Sequence, residues 1–313
     1  MSNVKAEGEA FLKKYKVERI IVDSDFDGVI CGAMLRIVFP EAEILQSKAS
    51  EIQEGKIDHL INKKTLLADL RFSSLSGYFF DHHESNKPTN DFIGAWSPEP
   101  SAAQVVYSYF EDVGNFSNFT PILSDINKFD SGNISLEEFD NPNETFKLAL
   151  VINRDETFFN LWLIELLAKF PLPKVTSHPY VKSRIDRFIE KRVLMAKYIE
   201  DNSKITGEIA IVNLMNYDLN EKMTSYIYNA QFPSAKVVVV IKPHEVKGNY
   251  KIRLYRNNFY EGDKNLDLLK IAKEMNPVTA GGHRGACGFN TDGELDEKKL
   301  IQLINDQLIS LHS

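Results

Sequence analysis

Arg19-Ile20-Ile21-Val22-Asp23-Ser24-Asp25-Phe26-Asp27-Gly28-Val29-Ile30-Cys31-Gly32-Ala33-Met34 is the stretch on which the reading of this chain turns. Its apolar start, Ile20 to Val22, reads as a short buried strand, and it stops at alternating aspartates, Asp23, Asp25 and Asp27, followed by Gly28. Helical character then begins, with Ala33, Met34, Leu35, Ile37 and Val38 apolar. A strand that feeds a helix through an acidic turn delivers carboxylates to the strand's carboxyl end, where open α/β sheets bind ligands. Carboxylates this close repel one another unless a cation sits among them. Asp-rich turns are common and often merely solvated. A calcium loop is excluded. Counted from Asp23, its twelfth position needs a bidentate Glu and is Met34, and the preceding segment is β-branched rather than helical.

At 313 residues the chain has room for two domains, with a sizeable core in at least one. A hydrophobic content of 43% and a charged content of 26% are ordinary for a soluble globular protein. The net charge of −7 argues against a surface built to hold long duplex nucleic acid, whose affinity comes mostly from basic patches. A small anion held locally is compatible with it. No apolar run approaches the roughly 18 residues of a membrane span, and the N-terminus lacks a signal-peptide pattern. Cys31 and Cys287 stand in no ligand spacing, so a disulfide framework is not expected and a reducing cytoplasm is the default location.

Residues 1–16 read as a short, charged amphipathic helix packing on the first strand. Ala42 to Leu45, Thr65 to Ala68 and Gly77 to Phe80 are further short strand candidates, separated by segments that fit helices or loops. That alternation is the pattern of a parallel sheet with helices on its faces. Two of these strands also end in ionisable residues: Leu66-Leu67-Ala68 runs into Asp69, and Tyr78-Phe79-Phe80 into Asp81-His82-His83. A lone Asp after a strand is usually a turn former. Several strands delivering carboxylate or imidazole to one edge form a pattern, and oxygen ligands with one or two His suit Mn²⁺ or Mg²⁺ better than a thiolate-rich zinc site does.

Asp81-His82-His83-Glu84-Ser85-Asn86 resembles the signature of the DHH phosphoesterases, and Asp23-Ser24-Asp25-Phe26-Asp27-Gly28 resembles that family's first motif in its RecJ-type form. Asp69 stands where the second motif would be, and Phe129-Asp130-Ser131-Gly132 resembles the fourth. Pro100-Ser101-Ala102-Ala103 fits the family pattern between them. The motifs, in order, carry the resemblance as far as about Phe170. Many relatives have a His four residues before the aspartate equivalent to Asp25; here Ile21 stands there, and the RecJ-like form implies that Asp23 supplies the ligand instead. The resemblance implies a two-ion centre, Mn²⁺ or Mg²⁺, with Asp69 bridging and Asp23, Asp25, Asp27, His82 and Asp130 completing the shells. It implies further that His83 contacts the scissile phosphate and that Asp81 orients a histidine. Asp125 and Asp155 are weaker candidates, since only Asp130 has the Ser-Gly sequel.

From Leu136 to Phe170 the chain reads helical, and Pro171, Pro173 and Pro179 close a first domain over residues 1–177. A charged helix from Val181 to Asp201 forms a connector over residues 178–204. Residues 205–313 read as a smaller α/β unit, with strands at Ile209 to Leu214, Lys236 to Ile241 and Tyr250 to Tyr255 and helices at Leu266 to Met275 and Glu297 to Leu311. Within it lies Ala280-Gly281-Gly282-His283-Arg284-Gly285-Ala286-Cys287-Gly288-Phe289. Its glycines give backbone N–H groups room to approach an anion, and His and Arg offer charge-assisted hydrogen bonds. The stretch resembles the Gly-Gly-Gly-His motif of the DHH-associated (DHHA1-type) substrate-binding domain, departing at Ala280 and Cys287. That resemblance implies that Gly281, Gly282, His283 and Arg284, with Arg256 from the preceding strand, hold a terminal phosphate or nucleotide across a cleft between domains.

The expected architecture is therefore α/β: a parallel-sheet catalytic domain with helices on both faces, a connector helix, and a smaller α/β substrate-binding domain. The expected activity is that of a metal-dependent phosphodiesterase acting on dinucleotides or short oligonucleotides. Inorganic polyphosphate, a cyclic dinucleotide and an adenosine bisphosphate are the competing substrates, and a non-catalytic nucleotide-binding protein is the competing class. The partners expected are a small phosphate ester or a short single strand, with no duplex DNA and no membrane; a homodimer is compatible with the sequence.

Overall fold

Ile20, Ile21 and Val22 are fully buried, as β-branched residues in a central strand should be. The computed structural model describes residues 4–217, 224–260 and 265–311. Two units divide the chain, Met1–Asn133 with Pro142–Asp186 and Ile134–Asn141 with Arg187–Ser313. In the first, α1 (Gly8–Lys14) precedes β1 (Arg19–Asp23), and α2 (Phe26–Val38) carries the chain to β2 (Glu43–Ser47). Helix α3 (Ala49–Gln53) and a 3₁₀ turn lead to β3 (Thr65–Ala68), β4 (Tyr78–Asp81) and β5 (Gly94–Trp96). The strands pair in the order β2-β1-β3-β4-β5, all parallel. Strand order reverses between β1 and β3, which makes the crevice at their carboxyl ends the sheet's topological switch point.

Side chains alternate across this sheet. Ile21, Leu67 and Phe79 share one face with Ile52 of α3, Ile61 and Leu70. The opposite face carries α2, where a Cβ on Gly32 would meet Val22 of the sheet at an ordinary 3.5 Å but would stand 2.7 Å from the Ile164 side chain that packs on the helix. Helices α4 (Ala102–Phe110) and α5 (Leu123–Asp130) follow β5. Both faces are covered, but unevenly, since α3, the 3₁₀ turn and loops make up the thinner layer. Helix α1 packs differently from expectation. Phe11 is 1% exposed and its ring meets Phe39, Tyr78, Phe80, Tyr109 and Phe110, so the helix is drawn to β4 and α4, where the aromatic rings are, instead of to β1.

The stretch expected as helix from Leu136 to Phe170 is broken twice. It consists of α6 (Leu136–Asp140), which belongs to the second unit, then α7 (Glu144–Val151) and α8 (Thr157–Lys169). Asn143 caps α7 by accepting from the Phe146 N–H, which explains the first break. After α9 (Leu172–Thr176) comes α10 (Pro179–Asp201), the expected connector, and the division between units falls after its Asp186.

The second unit holds β6 (Ser203–Thr206), β7 (Ile209–Asn213), α11 (Ser225–Gln231), β8 (Val237–Pro243) and β9 (Tyr250–Arg256). Then come α12 (Leu268–Met275), β10 (Gly281–His283), β11 (Ala286–Asn290) and α13 (Glu297–Ser310). Its sheet runs β10-β11-β9-β8-β7-β6 and is mixed, with β7 and β8 parallel and the other pairs antiparallel. Ile252, Leu254 and Phe289 pack there with Ile271 of α12 and Ile304 of α13. Among the described residues no helix is long and apolar enough to cross a membrane. Both cysteines are buried and free.

Candidate metal and phosphate site

Three neighbouring strands end in acid. β1 ends at Asp23, β3 runs into Asp69 and β4 ends at Asp81, and the pairing β1-β3-β4 sets these ends side by side at the switch point. Asp69 has φ 58°, in the left-handed region that Asp and Asn tolerate better than most side chains. The turn after β1 is shaped by its own hydrogen bonds. Asp25 caps α2, its Oδ1 accepting from the Gly28 N–H at 3.1 Å. A Cβ on Gly28 would stand 2.1 Å from the Asp23 carbonyl oxygen, so this position requires glycine. Asp27 accepts from the Ala102 N–H at 2.6 Å and the Ala103 N–H at 2.9 Å, which pins the N-terminus of α4 to the acidic turn. That is the structural work of the Pro100-Ser101-Ala102-Ala103 stretch, whose Ser101 caps α4 through the Gln104 N–H.

His82 Nδ1 lies 2.9 Å from the Glu99 carbonyl oxygen. A carbonyl only accepts, so Nδ1 carries the proton and Nε2 presents a lone pair. That Nε2 is buried with no hydrogen-bond partner among the described residues, 3.3 Å from an Asp130 oxygen and 3.9 Å from an Asp27 oxygen. Asp69 Oδ2 is likewise buried and unpartnered. Orphaned buried acceptors are rare and costly. Among the described residues the acceptors fall into three groups whose ligand atoms lie within 4.8 Å of one another: Asp69, Asp81, His82 and His83; Asp27, His82 and Asp130; and Asp23, Asp25 and Asp69. His82 and Asp69 each belong to two groups, so the three are contiguous. A hard divalent cation fits this donor set, and its charge is what the orphaned lone pairs lack.

Electrostatics tell the same story. Burial, and then the charge of Asp25, push Asp23 and Asp27 each up to about 7. Burial and the neighbouring carboxylates push Asp69 and Asp130 well above the usual range. Asp25 alone is held low: burial opposes ionisation there, but the charge and hydrogen bond of Arg154 outweigh it. His83 Nδ1 lies 2.9 Å from Asp81 Oδ1, and fully buried Asp81 also accepts from Asn86 Nδ2 at 2.8 Å. Burial works against a charge on His83, but this bond to Asp81 and the Asp81 charge prevail and raise it. Burial lowers His82, and the charge of His83 adds to that.

Asp125 accepts from Asn143 and Asp155 pairs with Lys48 at 2.6 Å, both outside the three groups. Ile21 sits in the apolar cluster with Leu67 and Phe79. Arg154 is a site residue that the sequence reading misses. It lies between α7 and α8, 3.2 Å from Asp23 Oδ2 and hydrogen-bonded to Asp25 Oδ2, with no motif or spacing to mark it.

In the second unit β10 contributes the backbone of Gly281, Gly282 and His283; the His283 side chain lies outside the described residues. Gly282 has φ 119°, and a Cβ there would stand 2.6 Å from the Ala286 carbonyl oxygen, so the tight β10–β11 hairpin requires glycine. Arg284, expected as an anion donor, is turned toward Asp267, its Nε 3.1 Å from Oδ2. Arg256 lies beside Gly285, whose missing side chain leaves room for the guanidinium. Burial, and then the charge of Arg284, lower Arg256.

No protein-family model matches the sequence, and no curated protein matches it. Solved structures do. A pGpG-specific phosphodiesterase, PggH from Vibrio cholerae, superposes with a TM-score of 0.76 at 18% identity, over 95% of this chain and 99% of that one. A DHH domain from a member of a family of ribosomal proteins gives a TM-score of 0.61 at 14% identity, over 96% of this chain and 88% of that one. RecJ from Thermus thermophilus, in complex with Mn²⁺, gives 0.51 at 12% identity, over 97% of this chain and 53% of RecJ. The chain thus has the fold of the DHH phosphoesterases, a parallel-sheet domain together with a second, mixed-sheet domain.

Proposed function

We propose that this chain is a divalent-metal-dependent phosphodiesterase that hydrolyses dinucleotides or short oligonucleotides. The observation that carries the reading is the pair of buried, unpartnered acceptors, His82 Nε2 and Asp69 Oδ2, on the two residues that link three contiguous ligand groups. Divalent ions held there, Mn²⁺ or Mg²⁺, would supply a nucleophile at neutral pH and neutralise charge at phosphorus. Asp23, Asp25, Asp27, Asp69, His82 and Asp130 hold them. His83, its positive charge favoured by Asp81, donates to an oxygen of the scissile phosphate. In the second unit Arg256 and the glycine-rich hairpin with His283 and Arg284 bind the remote phosphate or nucleotide end, and that binding energy aligns the scissile bond.

A short substrate is favoured by the net charge of −7, which offers little to a long polyanion, and by the shared fold with a protein described as pGpG-specific. The test is turnover with Mn²⁺ on pGpG, other dinucleotides, chains up to about thirty nucleotides, cyclic dinucleotides, adenosine bisphosphate and polyphosphate. Highest kcat/KM on dinucleotides supports the proposal. A steady rise with chain length would point instead to a processive nuclease, and preference for polyphosphate or a monoester would replace the substrate class.

A further inference from the structure

Of the three ligand groups, two contain imidazole, and the third, Asp23, Asp25 and Asp69, is made of carboxylates alone. That third group already has a cation in it. Arg154 Nη2 donates to Asp25 Oδ2 and stands 3.2 Å from Asp23 Oδ2, so one nitrogen lies between the facing oxygens of the two residues. The loop that brings it there is fastened on several sides. Asn160 is fully buried, and its Nδ2 donates to the Ser24 carbonyl at 3.1 Å and to the Asn153 carbonyl at 3.0 Å, tying the loop to the acidic turn itself. Asp155 pairs with Lys48 at 2.6 Å, and Glu156 pairs with Arg184. Flanked by such anchors, the Arg154 backbone is placed, while its side chain remains half exposed and has solvent to move into.

A divalent ion bound by Asp23 and Asp25 would sit roughly 2.0–2.6 Å from these same oxygens. That is the space the guanidinium nitrogen fills, and a second positive charge beside the ion would repel it. We propose that Arg154 is a resident counter-cation: it holds Asp23 and Asp25 together in the metal-free protein, and it is displaced when a divalent ion takes the carboxylate-only group. Arg154 is then a positioning residue that lowers metal affinity on this side of the site. The imidazole-containing groups fill first, and the carboxylate group fills last. The proposal rests on the divalent-ion reading of the site and not on the identity of the substrate.

The test is Mn²⁺ binding followed by calorimetry, together with melting in EDTA and in saturating Mn²⁺, on wild type, Arg154→Met and Arg154→Lys. The Met variant removes the charge and keeps most of the bulk. It should bind the weaker Mn²⁺ about tenfold more tightly, since the ion no longer competes with a half-exposed ion pair. In EDTA the same variant should melt about 3–6 °C below wild type, because two facing carboxylates lose their cation. In saturating Mn²⁺ that deficit should vanish or reverse. The Lys variant, which keeps the charge, should fall between the two in both measurements, and it carries the test if the Met variant does not fold. Equal Mn²⁺ affinities in all three proteins, or a melting deficit of the same size with and without metal, would overturn the proposal. Absence of Mn²⁺ binding by wild type would sink the metal reading of the site, and this proposal with it, whatever the substrate.

Discussion

Replacing Asp69 with Asn should stabilise the metal-free protein and weaken its metal binding at once. The residue is 3% exposed, its Oδ2 has no hydrogen-bond partner among the described residues, and burial with the charges of Asp27, Asp25, Asp23 and Asp130 pushes its carboxyl well above the usual range. Through neutral pH the unfolded chain ionises this carboxyl freely, whereas the folded protein resists doing so. Over the ~3 pH units between a free carboxyl and neutrality, at ~1.4 kcal/mol per unit, that costs at most about 4 kcal/mol. Neighbouring carboxyls share the protons, so removing one group recovers about half, ~2 kcal/mol. Asn keeps the shape and tolerates φ 58°, whereas Ala would add about 1–2 kcal/mol of backbone cost and blur the result. For a unit of this size ~2 kcal/mol corresponds to about 4–8 °C in Tm. The assay is thermal melting in EDTA at pH 7, paired with Mn²⁺ titration of the same preparation. A variant that melts no higher than wild type, with unchanged far-UV circular dichroism, would refute the electrostatic reasoning. One that binds Mn²⁺ as wild type does would remove Asp69 from the ligand set.

In EDTA the wild-type Tm should fall between about pH 5 and pH 8. Asp23 and Asp27, each raised to about 7, and His83, also raised, keep protons in the folded state that the unfolded chain has lost, so stability declines as pH rises through this window. A flat or rising profile would contradict these shifts, and saturating Mn²⁺ should abolish the slope. Asp27→Ala should destabilise the protein by about 2–4 kcal/mol even with Mn²⁺ present, because two amide hydrogen bonds at the N-terminus of α4 are lost together; an unchanged urea midpoint would show that α4 is held elsewhere. His283→Ala should lower kcat/KM for a dinucleotide by about 1.5–3 kcal/mol while leaving an aryl phosphodiester nearly untouched. An equal loss on both substrates, with the fold intact, would place His283 at the reacting centre.

The strand ends are legible in sequence because short apolar runs stop abruptly at acids. β3 falls on the expected Thr65–Ala68, and β4 begins one residue later than the apolar run that announces it. β5, Gly94–Trp96, is not legible: it is three residues long, and its Gly94 has φ 128° with the Phe79 carbonyl oxygen 2.1 Å from where a Cβ would be. Only the finished β4 edge makes a strand of it. Arg154 is hidden for a related reason. Apolar periodicity runs from α7 into α8, and the intervening Ile152-Asn153-Arg154-Asp155-Glu156 contains neither Gly nor Pro to mark a break. The proton position on His82 is hidden more deeply, because it depends on the backbone carbonyl of Glu99, and no side-chain pattern encodes a carbonyl.

Asp27 shows how far a motif can carry a residue and where it stops. In sequence it is one ligand among several, and nothing there distinguishes it from Asp25. In the fold each of its oxygens accepts an amide proton from α4, while one also faces His82 Nε2 at 3.9 Å. These duties do not compete. A carboxylate oxygen that accepts one N–H keeps a lone pair for a cation, and a helix N-terminus favours the ionised form. Yet those two amides do not suffice to keep Asp27 ionised, since burial and the charge of Asp25 still raise it to about 7. The deficit is positive charge. Arg154 supplies it at Asp25, on the side where Asp23 and Asp25 face each other. No arginine or lysine is paired with Asp27, His82 or Asp130 among the described ion pairs. The imidazole side is therefore where a divalent cation gains most and displaces nothing, and it is the side on which metal loading should begin.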